Sequence, residues 1–128
     1  MIRHVARLLT AIGIGHMLVG LILFRAPVAA ILRDGVFDAV APHVVRDGVT
    51  PYCDRLAAFW FLLMGPLLLM IARIAGHAAA RRDGEMLAIV GWNLLAIGAV
   101  GVVAMPTSGF WSLLALGPLL VSARRSAS

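Results

Sequence analysis

His16 is the one ionisable side chain inside any of the long charge-free runs of this 128-residue chain. An imidazole can donate and accept hydrogen bonds, exchange a proton or ligate a metal. At membrane depth such a group is costly to keep, which makes it a functional candidate by default. His16 lies eight residues beyond Leu8, where its run starts, and Asn93 lies seven beyond Met86, where another starts. If both runs enter from one side, the two side chains reach similar depth, roughly 10–12 Å in. A His16–Asn93 hydrogen bond is therefore expected, and with Trp92 beside it the set His16, Trp92 and Asn93 is the candidate ligand-binding group. The competing reading makes the same residues structural glue, each satisfying the other or a carbonyl freed by a proline.

Other chemistries lack their parts. His4, His43 and His77 fall at ends or in loops, so the paired axial histidines of a common membrane haem are missing, and no cofactor or metal is expected. No Asp or Glu lies within an apolar run, which leaves His16 as the sole group for a small proton-coupled transporter. One cysteine, Cys53, excludes an internal disulfide. Asp34, Asp38, Asp54 and Arg55 bracket the longest polar segment, and their charges fit a salt-bridged interfacial cluster over one end of the helices. An intramembrane enzyme would work between that cluster and the apolar core, on a lipophilic substrate, with His16 as acid/base.

The elements that must hold these groups follow from hydropathy. Apolar residues make up 62% of the chain and charged ones 13%, whereas soluble domains average about 45–50% and about 25%. Residues 8–24 and 56–72 are free of charge, and so are the 38 residues 86–123. One helix of that last length would measure roughly 57 Å against a hydrocarbon core of about 30 Å. It must be two crossings, broken at Pro106-Thr107-Ser108-Gly109. The first apolar run exceeds the 7–15 residues of a secretory leader and reads as a true helix. The expectation is one all-α domain over 1–128, a four-helix transmembrane bundle with helices at about 5–24, 54–73, 86–105 and 108–123. In the first outer loop, Val28, Leu32 and Val36 recur at helical spacing and predict a short amphipathic interfacial helix ending near Val40-Ala41-Pro42. Arg46-Asp47-Gly48 and Thr50-Pro51 read as turns, and residues 75–85 as a short loop.

Sorting charge by side fixes an expected orientation. Arg3, Arg7, Arg73, Arg81, Arg82, Arg124 and Arg125 share one side with Asp83 and Glu85. Arg25, Arg33, Arg46 and Arg55 share the other with four aspartates. Basic residues favour the cytoplasm, so both termini are expected there. The net charge of +5 is then a topology signal and a contact with anionic lipid, and nucleic acid is not an expected partner. Gly13, His16, Gly20 and Phe24 share a face, which turns His16 inward. Gly65-Pro66 and Gly117-Pro118 should bend their helices. They also suggest an internal repeat, with Phe59-Trp60 leading to Gly65-Pro66 as Phe110-Trp111 leads to Gly117-Pro118. Gly15-His16-Met17-Leu18 would then align with Gly91-Trp92-Asn93-Leu94.

Four strings occur together: Gly15-His16-Met17-Leu18-Val19-Gly20-Leu21, Ile31-Leu32-Arg33-Asp34-Gly35-Val36-Phe37, Arg55-Leu56-Ala57-Ala58-Phe59-Trp60-Phe61-Leu62 and Met105-Pro106-Thr107-Ser108-Gly109-Phe110-Trp111. In combination they resemble a family of small four-helix bacterial membrane proteins known as a domain of unknown function. The resemblance implies a multi-pass protein of the bacterial inner membrane and supplies no catalytic residue. The expected role is a non-enzymatic structural or interaction module, or a bundle binding a lipophilic small molecule. The alternatives are the His16 enzyme and the small transporter. The lipid bilayer is the expected partner, together with a homo-oligomer.

Overall fold

The computed structural model describes residues 2–36, 39–40 and 53–123, and among these the chain is all-α. Five helices follow in order: α1 (Ile2–Leu23), α2 (Arg25–Arg33), α3 (Cys53–Arg81), α4 (Gly84–Ala104) and α5 (Phe110–Ala123). Three stretches, His4–Leu23, Asp54–Arg81 and Gly84–Ala104, are long and apolar enough to cross a membrane. The fourth expected crossing, α5, is apolar but only 14 residues long, roughly 21 Å. Among the described residues no buried side chain is polar, while Val103 is 86% and Ile22 71% exposed. Apolar side chains this bare on the outside of apolar helices are suited to lipid and not to water.

α3 extends eight residues beyond its expected end. Arg73 carries a charge but does not stop a helix, and the alanines of the following segment, Ala75 and Ala78-Ala79-Ala80, favour continuing it through Arg81. The expected loop at 75–85 shrinks to a turn at Arg82, whose φ of 55° is left-handed, and Asp83. Asp83 then caps α4: its carboxylate oxygen accepts from the Met86 amide at 2.9 Å. Such a cap contributes about 1 kcal/mol.

α2 ends earlier than expected. Only Phe24 separates it from α1, and the ladder runs on through that residue, Phe24 N to Gly20 O and Val28 N to Phe24 O, each 2.9 Å. Gly35 at φ 95° and Val36 at φ 65° turn the chain out of the helix, so Val36 does not extend the amphipathic stripe. A β-branched residue in that region is strained. Asp38 and the turns expected at 46–48 and 50–51 lie outside the described residues.

The contacts divide the chain into two compact units. One is Ala11–Leu69; the other joins Met1–Thr10 to Met70–Ser128. In the first, α1 packs antiparallel on α3 through glycine. A methyl placed on Gly13 would lie 3.2 Å from the Gly65 carbonyl, and one on Gly65 would lie 3.2 Å from the Gly13 carbonyl and strike Met17. In the second, α4 and α5 form a hairpin. A methyl on Gly91 would lie 2.7 Å from Gly117 O, and one on Gly117 2.9 Å from Gly91 O. Close backbone approach through small residues is how apolar helices gain contact where lipid supplies no hydrophobic drive. Pro66 and Pro118 each sit inside an unbroken helix, one residue beyond the seam glycine.

Candidate functional site

His16 sits on the α1 face that carries Gly13 and Gly20, and it is half-buried. Its ring stacks on Phe61 of α3, with centroids 4.0 Å apart and planes 13° from parallel. Phe24 leans on the other part of that cluster, 5.3 Å from Phe61. His16 Nε2 lies 3.0 Å from the backbone oxygen of Phe61. A carbonyl oxygen can only accept, so Nε2 carries the proton and donates. In the neutral ring Nδ1 is then the acceptor, and it makes no hydrogen bond to the described residues.

Asn93, the partner expected from matched depth, is not the acceptor. It is exposed on α4 and its amide nitrogen donates to Ile89 O of its own helix at 2.8 Å. Trp92 is also exposed. The His16–Trp92–Asn93 group is thus distributed between the two units, with His16 in Ala11–Leu69 and the other two in Met70–Ser128. Depth along a run was the signal for pairing them, and depth says nothing about azimuth. The true acceptor is a backbone group, which no residue type announces.

The polar cluster is assembled around Arg55. Its Nη1 donates to the Asp34 carboxylate at 2.7 Å and to Ala39 O at 3.0 Å, tying the start of α3 to the turn that follows α2. The Arg55 side chain is 12% exposed and that of Asp34 48%. Asp54 is exposed in the first turn of α3, where a negative charge suits the helix dipole. No group of three His, Cys, Asp or Glu that could hold a metal occurs among the described residues.

The two helix pairs obey one pattern. On the first helix of each pair, Gly13 corresponds to Gly91, Met17 to Leu95 and Gly20 to Gly98. On the second, Leu62 corresponds to Leu114, Gly65 to Gly117 and Leu69 to Val121. The contacts recur at the same spacing: Leu69 over Gly13 matches Val121 over Gly91, Met17 over Gly65 matches Leu95 over Gly117, and Leu62 over Gly20 matches Leu114 over Gly98. The repeat expected from the Gly-Pro strings is therefore present as a packing seam, shifted by two residues on the first helix. Gly13, not Gly15, is the counterpart of Gly91. In this register His16 and Phe61 correspond to Leu94 and Leu113, which are 1% and 6% exposed.

The chain belongs to a family of unknown function, DUF6463. The family model matches residues 1–127, nearly the whole chain, so both helix pairs and the Arg55 cluster are inside it. No curated protein and no solved structure matches.

Proposed function

We propose that this chain is a non-enzymatic multi-pass protein of the bacterial inner membrane whose α1/α3 pair binds a lipophilic molecule through His16. The observation that supports this is the exchange between the two seams. Where α4/α5 is filled by Leu94 and Leu113, α1/α3 carries an imidazole stacked on Phe61. Leucine satisfies that position in one pair, so packing alone does not call for histidine in the other. With Nε2 spent on Phe61 O, the free Nδ1 suits a ligand that brings a hydroxyl or N–H donor, and the Phe61 and Phe24 rings suit an apolar body. The Phe61 carbonyl fixes the tautomer and orientation of the ring, which leaves Nδ1 in place to accept from a ligand. In this reading α5 is a fourth, short crossing, α2 lies in the interface, and the Arg55–Asp34 pair closes the outer end.

The test is mass spectrometry of lipophiles extracted from purified protein. Wild type should carry a bound species that His16→Leu lacks, with equal helicity in both. An identical complement in the two would refute the site. A periplasm-only reporter active when fused at Ser128 would refute the cytoplasmic termini expected from the arginine distribution.

A further inference from the structure

The face of α4 directly opposite its buried seam is also a seam. Met86, Ile89, Asn93, Ala96, Val100 and Val103 follow one another in alternating steps of three and four, and all are exposed. That spacing is the heptad pattern of two helices packed side by side. Five of the six residues are indifferent to lipid. Asn93 is not, and it sits within one residue of the middle of α4, where hydrocarbon is deepest. Its amide donates one hydrogen to Ile89 O. The second N–H and the Oδ1 acceptor have no partner among the described residues.

We infer that this face is the contact for a second copy of the same chain, centred on an Asn93–Asn93 pair. The inference rests on reading α4 as a membrane crossing. A carboxamide is self-complementary: the free N–H of one copy meets Oδ1 of the other, and the reverse, which a two-fold axis requires. Topology supplies the register. Every copy inserts with the same orientation, so two α4 helices meet in parallel and Asn93 faces Asn93 at equal depth. A lone asparagine on a heptad seam sets register and copy number in the same way in water. Ala96, one step along, lets the helices close on the amide pair.

The experiment is oxidative cross-linking of the full chain in inner-membrane vesicles. Cys53→Ser removes the native thiol, and single cysteines replace Ala96 or Val100 on the seam and Ile97 or Ala99 on its flanks. The seam positions should yield a product of twice the chain mass and the flanks little. Asn93→Leu should weaken association by about three- to thirty-fold, the range for one interhelical polar contact in a membrane. Asn93→Gln should restore much of it. Equal cross-linking at all four positions, no effect of Asn93→Leu, or a product of some other mass would each overturn the inference. Alkaline carbonate extraction of the same vesicles separates the two failures. Protein retained in the pellet without seam cross-links refutes the dimer alone; protein released refutes the membrane reading and the dimer with it.

Discussion

The α1/α3 and α4/α5 pairs use one seam and close it to different degrees. Between Gly91 and Gly117 an added methyl would lie 2.7 or 2.9 Å from the opposing carbonyl; between Gly13 and Gly65 it would lie 3.2 Å away in either direction. The tighter pair is also the better fastened. Its connection spans Met105 to Gly109, where Trp111 Nε1 donates to Pro106 O at 2.8 Å and Ser108 Oγ to Met105 O at 2.6 Å. Asp83 caps its entry. The looser pair is joined through the longer polar segment and held at that end by Arg55 on Asp34. The looser pair is the one that carries His16. The seam is complete with leucine, and the imidazole is an addition to it, not a requirement of it.

Exchanging the residues at that position breaks the comparison most severely. Leu94→His places an imidazole where the side chain is 1% exposed. The lost packing and the unpartnered polar atoms should cost about 2–4 kcal/mol. Thermal unfolding in detergent reads this; a loss under 1 kcal/mol would mean the α4/α5 seam tolerates polarity as readily as its counterpart. Next in size is the glycine contrast. Gly91→Ala meets backbone atoms of Gly117 and Val121 that cannot swing away, and should cost about 3 kcal/mol. Gly13→Ala meets the Leu69 side chain first, and should cost about 1 kcal/mol. Equal losses would remove the distinction between tight and loose pairs.

The clamp gives smaller effects. Arg55→Ala should cost about 1–2 kcal/mol, because the Asp34 carboxylate and the Ala39 carbonyl both lose the guanidinium that donates to them. Asp34→Asn should cost about 0.5 kcal/mol, since its half-exposed carboxylate is screened by water. Urea titration of the two variants checks the order, and a larger loss for Asp34→Asn would show that the carboxylate and not the Ala39 carbonyl holds Arg55.

The helices themselves were legible because the charge-free runs mark α1, α3, α4 and α5 directly, and three of these helices are long and apolar enough to cross a membrane. The end of α3 was not legible. Arg73 reads as a boundary, yet a helix can project beyond the apolar layer, and Ala78-Ala79-Ala80 favours its doing so. The inward turn of His16 followed from Gly13 and Gly20 on its face. Its acceptor did not, being a main-chain oxygen of Phe61. The repeat was visible in the two Gly-Pro pairs. Its register was misplaced because Gly15 matches Gly91 by residue type, whereas the glycine that touches α3 is Gly13. Asn93 matches His16 in depth, but the sequence also sets it opposite the Gly91 and Gly98 face, and that face is the one that packs, which leaves Asn93 on the outside of α4.

The unfolding midpoint of His16→Leu, measured in detergent after lipid has been stripped away, tests most directly whether His16 is an addition to a complete seam. Leucine loses one hydrogen bond to a carbonyl, worth about 0.6–2 kcal/mol in a membrane, and regains apolar contact of similar size. The midpoint should therefore stay within a few degrees of wild type or rise. A fall as large as that of Leu94→His would make the imidazole part of the packing and remove the ground for assigning it a ligand.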